Sequence, residues 1–341
     1  MDIKNRRAVR YAASHALADN PGNPRMVVLI YTLIISVSAL AVSALLTVLD
    51  NRIADTGGLG NLGLRSILST IRTILPLAHT IVLWGIQLGY QKATVRMARR
   101  QTAEPRNLVE GFSWFGPLLR SVLLKGALFF LLAMVAGYAA SAIFLVTPLS
   151  NDFVSLITPL MTDSEALYNT LYSDPVFYGQ AFSALLPMMP IFLVLFLAAA
   201  APFFYAYRMT NYCILETRGK GAMAALQESA RMMKGRRLDL LKLDLGFWWF
   251  WLAQLLASVV LYGDVILEAL GVALPWSATV SYYVFYVLSL AMEGVLYYFC
   301  LNRVETTYAT VYDELRPKPQ SSHSGAVLGN IFDLAKDYRE D

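Results

Sequence analysis

Residues 26–49 read MVVLIYTLIISVSALAVSALLTVL, a run with no charged side chain. A helix needs about 20 residues, at roughly 1.5 Å each, to cross a hydrocarbon core of ~30 Å. This run is long enough, and it exceeds the roughly 7–15 apolar residues of a signal peptide. It reads as an uncleaved first span behind a basic N-terminus, with Ala39-Leu40-Ala41 allowing a cleavage site as the other reading. Five further apolar runs lie near 74–90, 123–146, 184–207, 243–261 and 279–300. Composition agrees: 57% of the 341 residues are hydrophobic and 15% charged, a balance suited to lipid rather than water. The predicted fold is all-α, an integral membrane bundle of six transmembrane helices over residues 1–315, followed by a cytoplasmic tail at 316–341.

The loops give these spans a direction, because Lys and Arg resist translocation. Lys4, Arg6, Arg7, Arg10 and Arg25 precede the first span, and Lys92 to Arg120 contribute six basic residues between the second and third. Arg208 to Lys242 contribute eight between the fourth and fifth. The alternate loops differ: 148–180 and 262–276 have no Lys or Arg but carry Asp152, Asp163, Glu165, Asp174, Asp264 and Glu268. Only the first outer loop is mixed, with Arg52, Arg65 and Arg72 beside Asp50 and Asp55. Both termini are therefore expected in the cytoplasm of a multi-pass protein of the cell membrane. Trp276, Tyr282 and Tyr283 suit the outer interface, and Trp248, Trp249 and Trp251 the inner one.

Short amphipathic stretches precede the odd-numbered spans, at 7–17, 108–115 and 223–233. They read either as a threefold repeat of interfacial helix plus hairpin, near 4–100, 101–217 and 218–315, or as the alternation common to hairpin-built membrane proteins. Pro317, Pro319 and Ser321 to Ser324 read as a flexible linker to a short amphipathic helix with apolar positions from Val327 to Tyr338. Ala133, Gly137 and Ser141, and likewise Ala39 and Ser43, form small-residue stripes that permit close helix packing. Pro187, Pro190 and Pro202 bend the fourth span or mark its ends.

Ionisable groups at depth are costly and face protein or water. His79 lies in the second span, and Glu293 lies ~20 Å from the outer end of the sixth at about 1.5 Å per residue. Tyr282, Tyr286, Ser289, Glu293, Tyr297 and Cys300 share one helical stripe with it. His79 and Glu293 are read either as the lining of a polar path or as buried groups satisfied by neighbours. Asp244 enters the fifth span, able to accept hydrogen bonds from a neighbouring helix or to pair with a cation. Lys234, Arg236 and Arg237, beside a candidate helix-capping Gly235, can reach anionic head groups at about 1 kcal/mol each.

The block 225–235 (ALQESARMMKG), followed by 241–247 (LKLDLGF), resembles the signature of a bacterial membrane family known as domain of unknown function 975. Residues 306–315 (TTYATVYDEL) are similar to that family's ending, and 108–112 (LVEGF) to a further element. The resemblance covers most of 4–315 and implies a multi-pass bacterial membrane protein, without implying an activity. Gly246, Trp249-Phe250 and Asn302-Arg303 depart from the family's usual residues.

No HExxH, GxSxG, phosphate-binding loop or dinucleotide fingerprint occurs. Cys213 and Cys300 are too few and too far apart for a disulfide framework or a CxxC metal site. The expectation is a non-enzymatic protein with no catalytic residues, no cofactor and no metal. Its expected partners are membrane lipids and other membrane proteins, not nucleic acid. The alternative is a small-molecule or lipid carrier using His79 and Glu293.

Overall fold

The computed structural model describes residues 5–55, 62–162, 175–216, 221–272 and 274–316, and among these no strand forms. Six helical stretches are long and apolar enough to cross a membrane: Pro24–Asp55, Gly63–Ala98, Arg106–Val146, Met188–Glu216, Arg237–Val260 and Thr279–Leu315. The predicted tail helix at 327–338 lies outside the described residues.

Helix α1 (Arg6–Ala18) begins where the Asn5 side chain accepts a hydrogen bond from the Ala8 N–H, 3.2 Å away. The break after α1 is closed by Asn20, whose Oδ1 accepts from the Gly22 N–H at 2.9 Å. Pro24 then opens α2 (Pro24–Asp55), a position where a missing N–H costs nothing. The second span is longer than its apolar run, because α3 (Leu62–Ala98) begins well before residue 74. Arg72 on α3 pairs with Asp50 on α2, so part of the charge in the mixed segment between the first two spans is neutralised between helices.

The amphipathic segment expected at 108–115 is not an independent interfacial helix. Its place is taken by the five-residue α4 (Arg106–Glu110) and a 3-10 turn (Gly111–Trp114), which run straight into α5 (Phe115–Val146). The reason is close packing against α3. A Cβ on Gly89 would stand 2.0 Å from the Leu108 carbonyl oxygen, and one on Gly111 would stand 2.2 Å from that of Gly85. Segment 148–180 is also not a simple loop: α6 (Asn151–Thr162) and α7 (Pro175–Leu185) flank residues 163–174, which lie outside the described set. Pro187 precedes α8 (Met188–Ala206), with Pro202 inside it, and α9 (Thr210–Glu216) comes after a turn. Next come α10 (Ala222–Met232), beyond which Gly235 adopts φ +75°, and α11 (Arg237–Asp244). The fifth span then passes through a 3-10 turn (Leu245–Phe247) into α12 (Trp248–Val260). After α13 (Gly263–Ala269), the sixth span consists of α14 (Ala278–Leu296), a π turn (Tyr297–Leu301) and α15 (Asn302–Leu315).

Consecutive spans pack as three antiparallel pairs: α2 with α3, α5 with α8, and α12 with α14. In the second pair α5 buries Ala136, Ala140 and Phe144, with Ser141 beside them donating to Met188 Sδ at 3.8 Å. In the first, Ser43 is buried, and the Tyr283 hydroxyl of α14 lies 2.6 Å from Thr47 Oγ1. The shared buried core, however, sits at the basic end of the bundle. There α1, α15, α9, the end of α3 and the start of α5 bury Val9, Tyr90, Met97, Leu108, Met209 and Tyr308 almost completely. The apolar windows of the spans are at most 22% buried within the chain, as expected for helices whose outer faces meet lipid.

An ionic clamp closes this end. Arg99 pairs with Glu216 and, at 2.8 Å, with Asp313, while Arg316 reaches both acids at 3.1 Å. Burial alone would lower the Arg99 pKa, but the hydrogen bonds to Asp313 and Glu216 outweigh it and raise it.

Candidate functional site

Three spans lose regular α geometry at the level where they carry polar residues. The fourth turns at Tyr207, Arg208 and Met209, the fifth tightens directly after Asp244, and the sixth widens into its π turn ahead of Asn302, Glu305 and Tyr308. One inserted residue rotates the remainder of a span by about 100° relative to an unbroken helix. The tyrosine stripe of the sixth span lies almost wholly ahead of the π turn, and it meets two different helices. Tyr282 and Ser43 of α2 lie 3.3 Å apart, whereas Ser289 donates to the Ala257 carbonyl at 2.8 Å. Tyr297 accepts from Gln254 Nε2 at 3.0 Å, so this part of the stripe faces α12.

The three irregular segments meet at Asp244. Its Oδ1 accepts from the Tyr308 hydroxyl at 2.6 Å and its Oδ2 from that of Tyr205 at 2.9 Å. Charge-assisted bonds of this kind are about twice as strong as neutral ones. The Arg208 guanidinium lies 4.6 Å from the Tyr308 ring centroid and 5.4 Å from that of Phe204. One helical turn away, Tyr212 donates to Glu305 at 3.3 Å and stacks on Tyr312. Tyr90, stacked on Tyr31, donates to Asn302 Oδ1 at 2.6 Å, and Asn302 Nδ2 donates to the Pro24 carbonyl at 2.6 Å. The first, second and sixth spans are thereby joined through one amide.

Two polar cavities share this cluster. One of about 350 Å³ is lined by Gln87, Gln91, Lys125, Phe129, Arg208 and Glu305 among others, and one of about 160 Å³ adds Tyr31, Gln254 and Tyr297 to Gln87, Gln91, Arg208 and Glu305. Larger grooves of about 470 and 660 Å³ run along α2 and α14, but their walls are almost wholly apolar, which suits lipid chains and marks no chemistry.

The Asp244–Tyr308 bond joins the 241–247 block to the 306–315 block, two segments far apart in the chain. The chain belongs to the DUF975 family, proteins of unknown function. The match covers residues 1–318, the whole helical bundle. No curated protein and no solved structure matches the chain. Two of its departures from the usual DUF975 residues have structural consequences. Asn302 supplies the Tyr90–Pro24 bridge, and Gly246 lies close to Arg10, which donates to its carbonyl at 3.3 Å.

Of the residues singled out from the DUF975 sequence, only Asp244 belongs to the cluster. His79 Nε2 lies 3.0 Å from Ser38 Oγ, within the first helix pair. Glu293 is half-buried on α14, and among the described residues no hydrogen bond or ion pair joins it to His79. Neither lines the two polar cavities. Lys234, Arg236 and Arg237 are exposed around the turn into α11. Arg208, Glu305 and Tyr308 escape sequence reading because they lie just beyond the apolar runs, where polar residues are ordinary, and Lys125 because it stands two residues inside the start of the third run, where a cation can still reach the interface. A detectable signal exists in Arg208 itself, a cation placed directly at the end of an apolar span and followed by Asn211 and Tyr212.

Proposed function

We propose that this protein is a non-enzymatic, lipid-organising component of the cell membrane, with its basic end in the cytoplasm. The observation that carries the reading is the turn into the fifth span. Lys234, Arg236 and Arg237 are exposed there, and no ion pair among the described residues engages them. Directly after them Leu238, Leu245 and Trp248 are 67%, 60% and 61% exposed. Unpaired cations followed by bare Leu and Trp suit an interface where head groups meet acyl chains. The expected partners are anionic lipids and other membrane proteins. The carrier alternative draws its support from the cavities around Arg208, since neither His79 nor Glu293 lines them.

Replacing Lys234, Arg236 and Arg237 together by Gln removes about 3 kcal/mol of attraction at roughly 1 kcal/mol per cation. The preference for phosphatidylglycerol over phosphatidylcholine, measured by lipid retention in nanodiscs, should fall by about a hundredfold. An unchanged preference would count against the proposal. Orientation has its own test in a cysteine-free background. A membrane-impermeant maleimide should label Asp264→Cys in intact cells and Arg236→Cys only after permeabilisation, and the opposite pattern would reverse the assignment.

A further inference from the structure

We infer that the 350 Å³ cavity between α5, α9 and the turn at Arg208 is a binding site for a phosphate-bearing anion, with Lys125 and Arg208 as its ligands. This rests on the lipid-organising reading and extends it from the surface to a defined site inside the bundle.

The cations are the first observation. Arg208 is clamped between aromatic rings, which fix the plane of its guanidinium, yet none of its N–H donors has a hydrogen-bond acceptor among the described residues. The neighbouring acids are already engaged: Asp244 accepts from two tyrosines, and Glu305 accepts from Tyr212 at 3.3 Å. They balance charge without filling the donors. Lys125, half-buried on α5, lines the same cavity and has no ion-pair partner among the described residues. A planar fork and a point charge with unfilled donors are matched by phosphate oxygens.

The remaining walls define the second observation. Gln87, Gln91 and Asn211 add amides; Asn211 Nδ2 donates to Gln91 Oε1 at 3.0 Å, and the buried Asn211 Oδ1, which has no hydrogen-bond partner, is an acceptor that a ligand hydroxyl would fill and a phosphate oxygen would not. Opposite them Val122, Gly126, Phe129 and Phe204 form an apolar side. A phosphate group that also carries hydroxyls, with an attached carbon chain, suits both walls, and the volume lies within the ~300–1,000 Å³ of ligand pockets.

The test uses the full chain in nanodiscs. Lys125→Gln and Arg208→Gln remove the ligands. Gly126→Leu fills the cavity from its apolar side, where a Cβ meets nothing within 4 Å, and so separates loss of the site from loss of the fold. Native mass spectrometry after stringent delipidation should show one phosphatidylglycerol retained per wild-type chain. Retention should fall about tenfold or more in each of the three variants, with unchanged melting for Gly126→Leu. In a second arm, wild-type protein in neutral detergent is titrated with inorganic phosphate. Stabilisation by phosphate, lost in Lys125→Gln, with no tight lipid retained, assigns the same site to a soluble phosphate compound. Tight lipid retained equally by wild type and all three variants, without a phosphate effect, overturns the site but leaves the surface lipid reading standing. Absence of both anionic-lipid retention and a phosphate effect overturns both.

Discussion

An alanine at Gly89 is expected to prevent the chain from reaching its folded state. The added Cβ would lie 2.0 Å from the Leu108 carbonyl oxygen and 2.5 Å from its carbonyl carbon, and both are backbone atoms that no rotamer change can move. Overpacking usually costs about 1–3 kcal/mol where side chains can yield. Here helix α3 and the α4 turn would have to separate, so the cost should reach or exceed ~3 kcal/mol. Gly111→Ala, against the Gly85 carbonyl at 2.2 Å, should behave alike. Gly137→Ala is the control: its Cβ meets nothing within 4 Å, and helix propensity favours it by about 1 kcal/mol. Size-exclusion profiles and melting curves in mild detergent would read all three. A Gly89→Ala protein that elutes and melts like wild type would remove the proposed backbone contact.

The second large effect is expected at Asp244. Its replacement by alanine strands the hydroxyls of Tyr205 and Tyr308 and takes from Arg208 one of its two neighbouring negative charges. Removing one member of a fully buried charged network typically costs about 3–5 kcal/mol, so the loss at the part-buried Asp244 should approach ~3 kcal/mol. Tyr308→Phe removes one charge-assisted bond and should cost about 1.5–3 kcal/mol. The two changes should not add, because the alanine has already removed the acceptor that Tyr308 serves. Melting of both single variants and the double variant would show this coupling. Strict additivity would mean that Asp244 and Tyr308 act independently, against the 2.6 Å bond between them.

These two sites differ in how far they can be read from sequence. Asp244 stands out because a carboxylate at the mouth of an apolar span must find donors, and it lies in a block with a family resemblance. Its partner Tyr205 is one tyrosine among many, and Tyr308, although it lies in the 306–315 block, shares that block with Tyr312 and carries no mark as the donor. The glycines of the α3–α4 contact are harder still. Gly85 and Gly89 are four apart, as in other small-residue pairs, but their partner Gly111 is 22 residues from Gly89 across a turn. The small-residue stripe at Ala133, Gly137 and Ser141 is visible by spacing, and it lies at the margin of a packed face that buries Ala136, Ala140 and Phe144.

Hydropathy and loop charge determine, without further help, that this chain has six apolar helices and that its basic residues gather at alternate connections. Both are local properties, set by the cost of exposing backbone and charge to lipid. Only the tertiary structure decides where the chain packs most tightly. In water, burial of apolar runs would mark the core; in lipid those runs remain exposed, and long-range contacts gather at the basic end. There a turn, a 3-10 turn and a π turn redirect Arg208, Asp244 and Glu305 toward one another. Regular helical periodicity predicts faces only up to such a break, so the polar cluster and its cavities belong to the fold rather than to any one segment.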